Sequence, residues 1–563
     1  MNLTPPLLRG YKREWLIRDV VAGCVLAAVA IPEVMGYTSI SQTPLQTGLY
    51  TVIFPTIVFA LVASSRLLVV GADSATAAVL AAGLTGLGVA GLTPNTQEWV
   101  AYCSLTALVC GGLLLIARVL KLGFIGDFLS TSVLVGFLTG VGIQVLGGQI
   151  PDMLGVPKGS GRWVQQQLDW IKEIPNTSWL TFGFAAFTVF CIIFFDKVAP
   201  KIPGALVAVV VTIIVSTVID AESQGVAVVG SVPSGFPPIA LPDLGLSAVW
   251  LVLPTAFSCF VLIIAQSAAT SRSFAAKHGE RVDVNEDIVG LSGANLAAGI
   301  TGTFVVNGSP TKTQILDGQG GKSQVANLTM SLIVLLFTLF FTGILTNMPK
   351  ATLAGIVFMI GVSLIDIAGL KVLRRERMSE FVIALLTAVT VFAIGVEQGI
   401  ILAIVASILE IIRRAYSPSS FVIVERKEDA EPSFAPAEPG SQSLPGLIVF
   451  RFGAPLFYAN AGRFTDDLKA VVAGAPDPVR WVVVLAETLD DIDFSAGVQA
   501  HDLVQYLDER GITLVFAGLD PTQVRSLTSY GVLGGDSTVR TYPDAPSAIA
   551  AFQAEAPAAP AAT

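Results

Sequence analysis

The stretch TFVVNGSPTKTQIL, residues 303–316, decides how the chain is read, because it sets a lysine, Lys312, inside an otherwise strongly apolar polypeptide. Residues 303–306 are β-branched or aromatic and predict a short extended piece, and Asn307-Gly308 predicts a break. Ser309-Pro310 then reads as an N-cap followed by proline at the first helical position, so a helix starts there. Such a start aims unpaired backbone N–H groups and the positive end of the helix dipole at whatever lies in front of it. Lys312, in the first turn, adds a full positive charge to that end. An uncompensated charge at a bilayer centre costs at least ~2.5–3.5 kcal/mol, so the lysine is explained by a negative species that regularly sits before it. The plain alternative is a lysine that snorkels to the surface.

Composition makes the surrounding chain a membrane protein. Of 563 residues, 53% are hydrophobic and 13% charged, and a mean hydropathy of +0.72 is too high for a soluble protein of this length. Roughly fourteen apolar runs precede Arg414, each near the ~20 residues that cross a hydrocarbon core. Basic residues gather in alternate loops: Arg66, Arg118 with Lys121, Lys197 with Lys201, Arg272 with Lys277 and Arg281, the cluster from Lys371 to Arg377, and Arg413 with Arg414. The intervening loops hold few, chiefly Lys158, Arg162, Lys172 and Lys350. The positive-inside rule then predicts a multi-pass protein of the cell membrane with both termini cytoplasmic. Arg9, Lys12, Arg13 and Arg18 precede the first apolar run without a small-residue cleavage site after it, so this run is read as a retained span.

Other function classes are poorly served. The net charge of −9 argues against nucleic acid. The five cysteines lie in apolar segments without paired spacing, and there are only two histidines, His278 and His501, so neither a disulfide framework nor a metal site is indicated. No GxxxxGK[ST] motif is present. The chain is therefore read as no enzyme and as needing no cofactor.

The first span contains AIPEVMGY, residues 30–37, where Pro32 and Gly36 flank an intramembrane carboxylate, Glu33. The third begins VVGADSATAAVL, residues 69–80, which laid on residues 305–316 repeats the same plan, from apolar extended residues through glycine to a small-polar helix start. Asp73 then caps the first half-helix or couples an ion, and Thr76 occupies the place of Lys312. Two interrupted spans at corresponding places in two halves point to a repeat with a midplane site. In the eighth span, around residues 251–273, Gln266 is the one large polar group far from either end. Asp283, Glu286 and Asp287 read as a solvated turn and helix start.

Beyond Arg414 the composition changes. The boundaries expected are a cytoplasmic N-terminus 1–18, a transmembrane domain 19–415, a Pro-, Glu- and Ser-rich linker 416–444, an α/β domain 445–553 and an Ala/Pro-rich disordered tail 554–563.

Read together, IPEVMGY, TPLQTGLY, FPTIVFALVASSR, SFAAKHGERVDVNEDIVGLSGANLAAG and NGSPTKT resemble the SulP (sulfate permease) anion transporters, and the C-terminal part resembles their STAS domain. The resemblance covers nearly the whole chain. It implies fourteen spans in two inverted seven-span repeats, a core domain moving against a gate domain, a homodimer, and substrate held between the half-helices of the third and tenth spans. The residues it places at the substrate are Ser74, Ala75 and Thr76 on one half-helix and Ser309, Thr311, Lys312 and Thr313 on the other, with Glu33 and Gln266 beside them. Glu33 and Asp73 are the candidates for coupling to H⁺ or Na⁺. Two departures stand out: the family's first-span motif typically reads proline-glutamine where this chain has Pro32-Glu33, and its eighth-span acid aligns with Gln266. In DIDFSAG, residues 491–497, Ser495 is expected to cap a helix or to be a regulatory phosphorylation site contacting a cytoplasmic protein partner. The resulting expectation is secondary-active transport of a small anion, sulfate first and bicarbonate or a dicarboxylate next, with an uncoupled anion channel as the rival.

Overall fold

The computed structural model describes residues 11–89, 91–121, 131–159, 163–199, 202–425, 432–489, 492–534 and 537–555. It divides into two compact units, residues 1–407 and 408–563. The tail expected at 554–563 lies outside the described residues apart from its first two, and so does most of the N-terminal segment, whose described part enters the first helix at Leu16.

Among the described residues of the first unit, seven helical segments are long and apolar enough to cross a membrane, including Arg13–Ser41, Leu45–Val62, Gln97–Val119 and Leu246–His278. Four shorter apolar helices, Ser74–Gly86, Gly204–Val218, Val325–Phe340 and Met378–Ala393, join them. Val284–Ile300, Pro310–Gly318 and Val396–Tyr416 complete fourteen spans. They are built as two inverted repeats of seven. Spans one to four pack with spans eight to eleven as the core domain, and spans five to seven with twelve and thirteen as the gate domain.

Small residues let the gate helices close up. A Cβ on Gly136 or Gly140 of the fifth span (Thr131–Leu154) would stand 2.2 Å from the Ala384 carbonyl or 2.6 Å from Val391 Cβ of the thirteenth. Backbone contact through small residues four apart is how helices associate where lipid offers no hydrophobic drive.

On the face marked by the basic loops, Asp287 is buried, contrary to the solvated turn expected for it. Its carboxylate accepts from the Ser64 N–H at 3.0 Å, the Ser65 N–H at 2.8 Å, the Ser271 hydroxyl at 2.7 Å and the Ser65 hydroxyl. One charge thus ties the loop after the second span to the eighth and ninth, because a buried carboxylate must be fully hydrogen-bonded. Asp283 behaves as expected and caps the ninth helix through the Asn285 N–H.

The second unit is a six-stranded sheet with helices. Leu447–Phe452, Trp481–Leu485, Thr513–Ala517 and Arg540–Tyr542 run parallel. Successive side chains of the inner strands are buried on opposite faces: Ile448, Phe450, Val482, Val484, Leu514 and Phe516 in one core, Leu447, Val449, Trp481, Val483 and Val515 in the other. A parallel sheet covered on both sides produces this unbroken apolar run.

The segment expected as linker 416–444 needs correction, for Ser420–Glu425 and Pro432–Pro436 are strands that extend the sheet antiparallel, Ser420–Glu425 pairing directly with Leu447–Phe452. The apolar run FVIV in residues 421–424 outweighs the Pro- and Glu-rich composition around it. Ending the chain after Ser417 is therefore expected to leave a monodisperse, inserted membrane domain with an altered transport rate. Ending it after Gly440 leaves Ser420–Glu425 with an open edge where Leu447–Phe452 had paired and is expected to aggregate on size exclusion. Equal behaviour of the two truncations would contradict the placement of these strands.

Candidate functional site

Both interrupted spans form as their matching sequences require. Val69–Gly71 and Asn307–Ser309 pair antiparallel, with Val69 opposite Ser309 and Gly71 opposite Asn307. The strand therefore includes Asn307 and Gly308, which the sequence reading took as a break. These residues are extended because their backbone is paired across to the other repeat, a contact more than 200 positions away in sequence. Each strand leads into a half-helix, Ser74–Gly86 or Pro310–Gly318, and because the strands run antiparallel the two helices leave from opposite ends of the pair.

Asp73 caps one helix, accepting from the Ala75 N–H at 3.1 Å, and Thr76 turns its hydroxyl to the Asp73 carbonyl. Ser309 caps the other, accepting from the Lys312 N–H at 3.4 Å, while the Thr313 hydroxyl returns to the Ser309 carbonyl at 2.6 Å. The first of the two strands also packs tightly on the second span, since a Cβ on Gly71 would lie 2.6 Å from Val52 Cγ1. Gly71→Ala is expected to cost about 1–3 kcal/mol by overpacking, read as a lower melting temperature of the purified protein. An unchanged melting temperature would mean that the strand packs more loosely on the second span than described.

Lys312 is fully buried and does not snorkel. Its ammonium donates to the Ala72 carbonyl at 2.8 Å, lies 4.9 Å from the centre of the Tyr37 ring and stands 3.4 Å from Glu33 Oε2. Glu33 is held by the Tyr37 hydroxyl, which donates to Oε1. The first span stays helical through Pro32, from Leu16 to Ser41, so the expected distortion does not break it, and Glu33 and Tyr37 fall on one face at i, i+4. Tyr37 was missed in the sequence; that spacing in PEVMGY was the available signal.

The far end of the short lysine-bearing helix is held as well. Asp317 accepts from Lys277 Nζ at 2.6 Å and lies 2.7 Å from His278 Nε2, both at the end of the eighth span. Of the other candidates, Ser74, Ala75 and Gln266 are buried, whereas Thr311 is exposed and makes no side-chain hydrogen bond among the described residues. Among those residues no group of three or more potential metal ligands occurs. A cavity of about 20 Å³ borders Thr313 from the loop side, and an apolar one of about 250 Å³ lies between the sixth and seventh spans. Neither is at the crossing, where the chemistry converges.

In the sheet domain, Ser495 does not cap its helix. Asp493 does, accepting from the Ala496 N–H at 2.8 Å, and Ser495 is exposed one residue inside the helix Phe494–Asp508. Asp493 takes that role because it stands at the position just before the helix, two residues ahead of Ser495.

Two helix N-termini, a buried ammonium and its countercharge thus meet where the two repeats pair, an arrangement that favours negative charge. Residues 16–387 match the sulfate permease family and residues 439–545 the STAS domain, and the chain belongs to that family. It is 30% identical over 545 residues to a probable sulfate transporter of Mycobacterium tuberculosis, covering 97% of both chains. Sulfate transporter 1.3 of Arabidopsis thaliana is 25% identical, over 92% of this chain and 82% of its own. The fold matches the overall structure of SLC26A9 with a TM-score of 0.85 at 20% identity, covering 98% of this chain and 92% of that one. The transmembrane domain of a cyanobacterium bicarbonate transporter, BicA, superposes with a TM-score of 0.61 at 21% identity, over 71% and 98%.

Proposed function

We propose that this chain is a secondary-active transporter of a small anion in the cell membrane, with sulfate its first substrate and bicarbonate or dicarboxylates next. The observation that carries the reading is Lys312, fully buried at the start of a half-helix that faces a second helix start. The sulfate transporters among its relatives support the substrate class. Ser309 and Thr313 shape the lysine's helix, and Asp73, Ser74, Ala75 and Thr76 form the opposing start. The loop charges support cytoplasmic termini.

Glu33 supplies the coupling. At 3.4 Å it is the lysine's own counter-ion, so an entering anion competes with it for the same ammonium. A proton on Glu33 removes that competition, so anion and proton occupy the cluster together: with divalent sulfate, Lys312 and protonated Glu33 the cluster carries one net negative charge in place of the two left by an ionised Glu33. Symport follows from electrostatics, without an additional gate. In the same reading Ser495 is the regulatory position of the STAS domain, its hydroxyl left exposed because Asp493 does the capping.

The test is uptake by purified protein in liposomes against a panel of labelled sulfate, bicarbonate and dicarboxylate. Accumulation of sulfate driven by an inward proton gradient is the expected result. Saturable flux that ignores proton and sodium gradients would make the protein an uncoupled anion channel.

A further inference from the structure

We propose that Ser267 and Asn307 are positioning residues that lock the Gln266 side chain with its NH₂ end toward the anion path, making it a second donor beside Lys312; this rests on the anion site proposed above. The orientation follows from a chain of hydrogen bonds whose first member is unambiguous. The Gly308 backbone N–H can only donate, and it donates to Ser267 Oγ at 3.1 Å. Ser267 Oγ in turn donates to the amide oxygen of Asn307, Oδ1, at 2.7 Å. Asn307 is thereby fixed with its nitrogen toward the eighth span, where it donates to Gln266 Oε1 at 2.6 Å. The carbonyl end of Gln266 is taken, and the two hydrogens on Nε2 point the other way.

Gln266 is only 7% exposed, and no group among the described residues accepts from its Nε2. That nitrogen is nonetheless not one of the fully enclosed atoms that lack a partner, so it borders accessible space. Its span packs against the strand Asn307–Ser309 and against both half-helices, so the free amide lies beside the strand that leads into Lys312. The relay needs a residue without a side chain at its origin, because a Cβ on Gly308 would stand 2.8 Å from Ser267 Oγ.

An unrestrained glutamine turns over at little cost, and the turned form shows an oxygen to the anion in place of two donors. The relay removes that choice. It converts an amide of ambiguous sense into a fixed dipole whose positive end matches Lys312.

Asn307→Asp tests this with almost no change of shape. The carboxylate still accepts from Ser267 but has no hydrogen for Gln266, which must turn its NH₂ inward and its oxygen outward. The expected result in liposomes is a KM for labelled sulfate raised about tenfold at nearly unchanged Vmax, the loss of one hydrogen bond to a charged ligand. Because the new charge repels anions by itself, the change is repeated in Gln266→Ala. If the aspartate acts through Gln266, most of its effect disappears in that background; equal effects in both backgrounds overturn the relay.

Ser267→Ala is the uncharged version and serves if the aspartate variant does not fold. It frees Asn307 to turn and is expected to raise KM several-fold, again only while Gln266 is present. Lys312→Ala is assayed alongside. Its inactivity together with equal effects in the two backgrounds refutes the relay alone, whereas its normal uptake refutes the anion site on which the relay rests.

Discussion

Lys312→Ala is expected to abolish saturable sulfate uptake, lowering Vmax/KM on the order of 10²-fold or more, while insertion and folding survive. Truncating one partner of a buried, hydrogen-bonded charge pair costs ~2–5 kcal/mol, which is a factor of about 30 to several thousand. Here the loss falls on the anion, because the lysine's packing is replaceable and its charge is not. The Ala72 carbonyl, the lysine's backbone acceptor, can be satisfied by water once the ammonium has gone. Glu33 keeps its hydrogen bond from Tyr37 but loses its counter-ion. Lys312→Arg separates charge from shape. It restores the charge but sets a planar fork in place of a compact ammonium, and partial recovery with altered anion preference is expected. Near-normal uptake by the alanine variant would remove the basis for the site.

The second large effect is expected at Glu33. Glu33→Gln keeps the size of the side chain and a carbonyl to accept from Tyr37, but it ends the competition between carboxylate and anion for Lys312. Anion should bind more readily at neutral pH, and uptake should lose its dependence on an imposed proton gradient. The readout is the proton gradient: wild-type uptake is expected to be driven by an inward proton gradient, and uptake by the glutamine variant is expected to be indifferent to it. Adding Gln266→Glu to Glu33→Gln returns a carboxylate to the eighth span and tests whether the position of the acid is interchangeable. If the single variant keeps the wild-type pH profile and still accumulates sulfate on a proton gradient, Glu33 is structural and the coupling proposal is wrong.

The parts of this architecture visible in the sequence are those encoded locally. Apolar runs of membrane-spanning length, alternating basic loops, and the cap-plus-proline start at Ser309-Pro310 each follow from a few adjacent residues. The match between residues 69–80 and 305–316 located both half-helices, and Asp73 and Ser309 cap them at equivalent positions.

What the sequence concealed depends on partners far along the chain. Asp287 looks like one acid in a polar turn until Ser64 and Ser65, more than 200 residues earlier, close around it. Asn307 looks like a break until Gly71 pairs with it, and the sense of the Gln266 amide emerges only from Ser267 and Gly308. The strands in residues 420–436 were hidden by a different cause. Their short apolar run is flanked by proline and glutamate, and composition averaged over the segment masks it.

The central claim is that Lys312 holds the transported anion, and ligand-dependent stabilisation tests it most directly. An anion that binds only the folded protein raises its melting temperature with concentration, by an amount set by its affinity. For purified wild-type protein titrated with sulfate at constant ionic strength, the account predicts a saturable rise that is absent in Lys312→Ala and retained, with a shifted midpoint, in Lys312→Arg. The same rise with the same midpoint in Lys312→Ala would contradict it.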